Sequence, residues 1–322
     1  MSFSHSFVVP SYNHAQYIGE TIESLLAQDL PGSEIVVCDD HSTDGSRAVI
    51  ERYRDRIRIV DPPVRLGMMP NYNFTVSQAT GQWISLLGSD DRALPGFARA
   101  IREAAVQHPG AVLISGDFDH IDGAGKLVQH EKVLSMRPVT RPPDTFRSQM
   151  MDARIHPVSC AFRRDVWEKV GGFAQETRLY GDWGLWLRMS PHGSFVHRRQ
   201  ALTEYRVHYR PDIAVERRLD ALRDDMFIML TLLPEVAATL PGIGQREIAR
   251  AQWKRLRNRL GEYGPTVAPA DRGPIVDLLR PWASHVNDLP NLEKFARGET
   301  LATGWRESPV RRFLRDMVRK LR

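Results

Sequence analysis

The sequence predicts an α/β domain with a mostly parallel sheet flanked by helices, followed by a helical C-terminal region. Three observations lead there. Short apolar runs at 6–9 (SFVV), 34–38 (EIVVC), 58–60 (RIV) and 83–87 (WISLL) alternate with helical stretches at about 17–28, 46–54 and 71–79. Alternation of this kind implies parallel strands joined by helical crossovers on both faces of one sheet. Two of the runs deliver adjacent acids at their C-terminal ends, Asp39-Asp40 and Asp90-Asp91, which is the edge where an open α/β sheet builds a ligand site. Beyond about residue 211 the strand signals stop. The domains expected are therefore 1–211, an α/β unit, and 212–322, an α-helical region for packing, oligomer or membrane contact.

The elements follow in order. After SFVV, Pro10-Ser11-Tyr12-Asn13 should stop the first strand, and Ile22, Leu25 and Leu26 give the next helix its inner face. EIVVC ends on Asp39-Asp40, with His41 to Ser46 forming a polar loop. WISLL ends on Gly88-Ser89 and then Asp90-Asp91. A helix over 95–107 and a strand over 111–115 come next, and the turn Asp122-Gly123-Ala124-Gly125 should join two antiparallel strands. Residues 137–143 are proline-rich and read as a surface loop. A strand over 158–162, a short helix over 164–170, a bulky helix over 180–189 with Asp182 at its start, and a strand over 202–207 ending at His208 complete the domain. An Asp at that helix start is by itself most often an N-cap.

Composition bounds the answer. With 322 residues, 42% of them hydrophobic, the chain can bury one large core and a smaller lobe. It has no apolar run of about 18 residues and no basic-then-apolar leader, so a membrane span and a secretory signal are not expected. Two cysteines, Cys38 and Cys160, suit a reduced, cytoplasmic protein and cannot make a cysteine zinc site. The net charge of +5 suits a phosphorylated substrate or an anionic membrane surface. No basic-aromatic motif points to nucleic acid. Helices are expected at about 214–231, 245–263, 272–286 and 309–321. In the last, Val310, Phe313, Leu314, Met317, Val318 and Leu321 share one face, and Arg311, Arg312, Arg315, Arg319 and Lys320 cover the rest. Residues 309–322, from Pro309 to Arg322, thus suit a peripheral contact with the inner face of a membrane and equally a packed protein face. A homo-oligomer is compatible with the sequence.

Adjacent carboxylates repel, and stay ionised together only beside a cation or hydrogen-bond donors. A hard divalent metal carrying a phosphorylated substrate would satisfy Asp90 and Asp91.

Six stretches, FVVPSYNHAQYI (7–18), EIVVCDDHSTDGS (34–46), ATGQWISLLGSDD (79–91), FRRDVWEKVGGF (162–173), GDWGLWLRM (181–189) and YRVH (205–208), together resemble the family 2 glycosyltransferases over about residues 6–210. The resemblance implies the GT-A fold and a metal-dependent, inverting transfer from a nucleotide-sugar, with a UDP-sugar favoured. It implies that Pro10, Ser11 and Tyr12 hold the nucleotide. Asp39 would read the base, with Asp40 and Ser42 supporting its loop, and Asp90 would lie near the ribose or behind the direct metal ligand. Asp91 would bind Mg2+ or Mn2+, His208 would reach the metal or diphosphate, and Asp182 would be the general base. Two departures stand out. Gly88 occupies a position where the family usually has another Asp, and Gly181 replaces a Glu before the base.

His156, Arg163, Trp183 and Trp186 fall near the expected acceptor side, with Trp186 read as core. The amphipathic tail and the habits of the family suggest a glycan or lipid-linked acceptor in bacterial surface polysaccharide synthesis. Two other readings compete. A nucleotidyltransferase would need basic residues for a triphosphate in the first loop, and residues 10–14 contain no Arg or Lys. A catalytically degenerate scaffold or carbohydrate-binding subunit would explain Gly88 and Gly181, but not the retention of Asp39, Asp91 and Asp182.

Overall fold

The structure is a computed structural model that describes residues 3–28, 31–133, 136–152, 154–208, 214–263 and 267–299. It divides into two compact units, Met1–His208 and Tyr209–Arg322.

The first unit is built on a mixed sheet. Strands β1 (His5–Ser11), β2 (Glu34–Asp39), β3 (Arg58–Val60) and β4 (Trp83–Leu86) are parallel, with the order β3-β2-β1-β4. The sheet continues through β9 (Cys160–Arg163), which is antiparallel to both neighbours, then β6 (Ala111–Ile121), β10 (Ser194–Arg206) and β5 (Arg92–Ala93). The strands β7 (Leu127–Glu131) and β8 (Val139–Thr140) add to β6 and β10. Consecutive residues feed opposite faces. Phe7, Val9 and Val37 enter one core with α1 (Ile18–Leu26) and α4 (Phe97–Gln107). Val8, Val36 and Ile84 enter the other with α3 (Met68–Ser77), α6 (Arg164–Lys169) and α7 (Gly181–Met189). Burial on both faces is why these strands read as unbroken apolar runs. The remaining helices of the unit are α2 (Ser46–Glu51) and α5 (Asp144–Gln149).

Several boundaries differ from the sequence expectation: β10 begins at Ser194 rather than at 202, β8 lies within the stretch 137–143 expected as a loop, and β1 and β6 run further than expected. Strand β1 runs through Pro10 to Ser11, where Ser11 pairs with Asp39. Pairing with β4 ends at Val8–Leu86, and Val8 O accepts Leu87 N from that side. The side of Pro10 that lacks an N–H therefore faces past the end of β4, where no acceptor waits. Strand β6 extends six residues beyond the apolar AVLIS, because Asp117, Asp119 and His120 are buried with partners on neighbouring strands.

His5, at the start of β1, carries a pH signature. It is buried, its Nε2 is 2.9 Å from Ser85 Oγ, its Nδ1 has no partner, and its ring lies 4.4 Å from Phe7. Burial pushes its imidazole down to about 3. The unfolded chain, with an ordinary histidine value of about 6.5, takes a proton first as pH falls. The stabilising effect of a neutral His5 is thus complete above about pH 6.5 and declines toward pH 3. Below pH 6.5 the wild type should lose up to about 1.4 kcal/mol per pH unit from this group. A His5→Phe/Ser85→Ala variant should show a flatter melting curve against pH, and an unchanged slope would remove His5 as the cause.

The second unit is helical: α8 (Ala214–Phe227), α9 (Leu233–Ala238), α10 (Gln245–Tyr263), α11 (Arg272–His285) and α12 (Leu289–Arg297). A π-helical turn over Ile228–Leu232 joins α8 to α9, just before Pro234, which cannot donate to the ladder. Leu222, Met229, Leu256, Leu279, Trp282 and Phe295 are buried within it. Asp225, fully buried, pairs with Arg255 at 2.7 Å and with Arg259. The helix expected over 309–321 lies outside the described residues. No helix among the described residues is long and apolar enough to cross a membrane.

Candidate active site

The loops after β1, β2 and β4 converge at one edge of the sheet and are sewn together by side chains. Asn13 N donates to Ser42 Oγ (2.9 Å), Thr43 N to Asn13 Oδ1 (2.8 Å), His14 N to Ser46 Oγ (2.9 Å) and Ala15 N to Asp44 Oδ2 (2.9 Å). Asn13 and His41 adopt positive φ, 55° and 59°, a conformation Asn and His tolerate better than most residues. Asp39 accepts Ser42 Oγ at 2.5 Å and is buried. Asp40 turns away from that loop. Its carboxylate accepts Leu66 N (2.7 Å) and Gly67 N (2.9 Å), and so clamps the chain leading into α3. Ser11 is buried with an unpartnered Oγ, whereas Tyr12 lies under the Arg65 guanidinium at 4.1 Å.

The acidic pair is held unevenly. Asp90 Oδ2 meets His208 Nε2 at 2.7 Å, and Asp90 Oδ1 lies 3.8 Å from His14 Nδ1. His14 Nδ1 is also 2.7 Å from Ser89 Oγ. Burial pushes the Asp90 carboxyl up, but the His208 hydrogen bond and the attraction of His14 and His208 outweigh it and hold it below its ordinary value. Asp91 is fully buried. Burial first, and the neighbouring Asp90 charge second, raise its carboxyl well above the usual range, against the pull of Arg206. Asp91 Oδ1 accepts Arg206 N at 2.8 Å.

Arg206 is the strut of this edge. Its side chain is 1% exposed, and it donates to Asp90 O (2.8 Å), Asp122 O (3.1 Å), Gly123 O (3.3 Å) and Glu20 Oε2 (2.8 Å) while lying 4.5 Å over the Tyr17 ring. It fixes the acidic pair to α1 and to the β6–β7 turn.

Asp182 sits in the first turn of α7. Its charge reaches Cys160 on β9 and Tyr72 on α3. The Tyr72 phenol is pushed up by burial and then by Asp90, Asp91 and Asp182, so one phenol feels all three carboxylates. The site thus brings together Asp39, Ser42, Asp90, Asp91, His208 and Asp182.

Both glycine departures have a steric reason. A Cβ at Gly88 would run into Asp91 Oδ2 and come within 3.0 Å of Asp90 Oδ1. A Cβ at Gly181 would strike the Met69 sulfur and come 2.9 Å from Thr177 Oγ1.

Two of the expected acceptor-side residues, Trp183 and Arg163, are placed elsewhere. Trp183 is fully buried and donates to Gln149 O (2.6 Å), so its face is not available to a sugar. Arg163 pairs in register with Trp83, at the start of β4 and away from the acids. Trp186 is core, donating to Ile155 O at 3.2 Å. His156 packs against Tyr205 (4.4 Å) and Phe118 (4.8 Å).

His14, Arg65, Tyr72 and Arg206 were not singled out from the sequence. His14 and Arg206 carried a signal, a His in the first polar loop and a lone Arg ending a buried strand. Tyr72 and Arg65 depend on how α3 and the loop before it face the edge.

Among the described residues, no three His, Cys, Asp or Glu side chains meet in a group able to hold a metal. The donor set nevertheless fits a hard cation completed by its substrate. Asp91 Oδ2 faces the space left by Gly88, and a cation there would reverse the repulsion that raises its carboxyl. Mg2+ in particular is held by one or two carboxylates plus phosphate oxygens and water.

Comparison with known proteins gives the family and the fold. The pattern described as Glycosyl transferase family 2 matches residues 6–171. The chain is 24% identical over 228 residues to the chondroitin synthase of Pasteurella multocida, covering 70% of this chain and 22% of that protein. It is 31% identical over 153 residues to the succinoglycan biosynthesis protein ExoO of Rhizobium meliloti, covering 47% of this chain and 44% of that one. It therefore spans only about a fifth of the synthase and less than half of ExoO. In fold it is similar to S. aureus TarS 1–349 in complex with UDP-GlcNAc, with a TM-score of 0.64 at 16% identity over 92% of this chain and 91% of that one. It is also similar to the mannosyltransferase PcManGT from Pyrobaculum calidifontis in complex with GDP-Man and Mn2+, with a TM-score of 0.55 at 17% identity over 91% and 86% of the two chains. The family pattern covers more than half of the chain and contains both acidic strand ends, and on that ground this chain belongs to glycosyltransferase family 2.

Proposed function

We propose that the chain transfers a sugar, with inversion, from a nucleotide-sugar, a UDP-sugar favoured, to a hydroxyl of a glycan or lipid-linked acceptor in bacterial surface polysaccharide synthesis. The observation that carries this is the convergence of Asp39, Asp90 and Asp91 at one sheet edge, where the loops after β1, β2 and β4 are sewn together, with Asp182 near enough for its charge to act on the same Tyr72 phenol as Asp90 and Asp91. TarS with UDP-GlcNAc and PcManGT with GDP-Man and Mn2+ share the fold and lend support to a nucleotide-sugar donor.

Each residue then has a task. Tyr12, backed by Arg65, and Asp39, oriented by Ser42, face the nucleoside. Pro10 and Ser11 end β1 and set the height of that loop, and Asp40 holds the loop before α3 in place. Asp90, tied to His208, Asp91 and His208 itself would hold Mg2+ or Mn2+, which when bound offsets the negative charge of the leaving diphosphate. His14 and His208 add donors on the same side. Asp182 accepts the proton of the acceptor hydroxyl as it attacks the anomeric carbon, and a single base suffices because no activated water is needed.

A thermal-melt panel of UDP, dTDP, GDP and CDP, each with and without Mn2+, tests the donor half. Saturation at about a hundred times the dissociation constant stabilises a folded protein by about 2.7 kcal/mol, a shift of roughly 5–10 °C for a unit of this size. UDP with Mn2+ is expected to give the largest shift. No shift with any nucleotide would sink the donor reading and favour a scaffold.

A further inference from the structure

A second concave site lies beside α5, away from the acidic pair. It is a cavity of about 320 Å3 whose lining includes Arg137, Thr140, Asp144, Arg147, Ser148 and Arg154. Its size falls at the lower end of small-molecule sites. Asp144 is the one carboxylate among the lining residues, and it lies 3.1 Å from Arg147 and 3.9 Å from Arg137. Three guanidiniums and one carboxylate among its lining residues make the lining itself net positive. Like charges gathered this way repel, and the arrangement is relieved by an anion. Guanidinium forks match the planar geometry of carboxylates and phosphates.

The cavity is mounted on the helix pair that carries the proposed base. Ser148 precedes Gln149, whose carbonyl accepts Trp183 Nε1 at 2.6 Å, and Trp183 follows Asp182. At the other end of α5, Thr145 Oγ1 donates to Ser190 O at 2.6 Å, just past α7. A ligand held here is therefore registered against α7 by direct contacts rather than through the nucleotide loops.

We propose that this cavity binds an acidic group, a carboxylate or a phosphate, carried by the acceptor glycan on a unit other than the one extended. This rests on reading the chain as a transferase that extends a glycan. A membrane surface fits less well. The site is concave, its apolar wall residue Met136 is buried, and its lining offers no exposed large apolar side chain to enter a bilayer.

The test is calorimetric titration of the full chain at low ionic strength. The probes are a glucuronate-containing tetrasaccharide, the same sugar after carboxyl reduction, a glycerol-phosphate oligomer and phosphatidylglycerol vesicles. At least one acidic oligomer should bind about tenfold or more tighter than the neutral sugar, a preference of about 1.4 kcal/mol. Arg147→Gln/Arg154→Gln should bring that preference within about twofold, and Asp144→Asn, which adds to the excess of positive charge, should strengthen binding by about threefold. A gain cannot come from misfolding. The UDP–Mn2+ melt shift should be the same in all three proteins.

Equal binding of acidic and neutral sugars overturns the proposal, as does a preference that survives loss of both arginines. Arginine-dependent binding to the vesicles alone overturns it in favour of a membrane contact. If the wild type shows no nucleotide shift but keeps the arginine-dependent preference, the donor reading has failed and the anion site stands.

Discussion

Asp182→Asn is expected to lower sugar transfer about a thousandfold while leaving the nucleotide–metal melt shift within about 1 °C of wild type. Removing a positioned general base typically costs 10²- to 10⁴-fold. Asn keeps the size and one acceptor oxygen of Asp but cannot take the acceptor proton. The side chain is in the first turn of α7, where a negative charge interacts with the helix dipole by only about 0.3–1 kcal/mol. Stability should therefore barely move, and the effect should fall on turnover. The charge also reaches Tyr72 and Cys160, so the variant should return their environments toward neutral without disturbing Asp39 or the first loops. Single-turnover transfer against bound-donor melting separates the possibilities. If transfer stays above about a tenth of wild type, the base is another group. If the melt shift disappears as well, Asp182 belongs to the donor site. The same comparison distinguishes an enzyme from a scaffold, since a scaffold would show no transfer even in the wild type, whether or not it binds the nucleotide.

Much of the fold was legible because its strands are buried on both faces. SFVV, EIVVC and WISLL are continuous apolar runs, and β1, β2 and β4 send alternate residues into two cores. Where polar residues are buried with partners, the pattern disappears. The second half of β6 holds Asp117, Asp119 and His120, satisfied by His197, His130 and Glu131 on neighbouring strands. The first half of β10 pairs with β6 through register shifts between Arg198 and Thr203. No local periodicity reveals either. The acidic pair was visible as two letters, but its asymmetry was not. That asymmetry comes from His208 reaching Asp90 rather than Asp91, and from the deeper burial of Asp91. Trp183 fell on the expected acceptor side because its neighbours in sequence are site residues. Its burial comes from α5, whose carbonyl at Gln149 takes the indole N–H. At the two glycines that looked like losses of function, an added Cβ would displace the Asp91 and Met69 side chains as they now stand.

Asp91→Asn should move stability and function in opposite directions. The Asp91 carboxyl is fully buried beside a second carboxylate, and both circumstances disfavour its charge. The Arg206 N–H that it accepts at 2.8 Å can be accepted equally by an Asn oxygen. In metal-free buffer at neutral pH the variant should therefore melt at or above the wild type, by up to a few degrees, since roughly 1 kcal/mol corresponds to about 2–4 °C in a unit of this size. A functional residue held at a cost to stability is the usual source of such a trade-off. Transfer should fall about a hundredfold or more, because the carboxylate facing the Gly88 space would no longer draw a cation to the leaving diphosphate. Mn2+ should then add nothing to the nucleotide melt shift. A variant that melts several degrees lower without metal would make Asp91 a structural acid held by Arg206. Transfer that survives with its Mn2+ dependence intact would move the cation to Asp90 and His208, which already touch at 2.7 Å. The sign of the stability change in metal-free buffer thus separates a strained ligand from a satisfied core acid before any substrate is added.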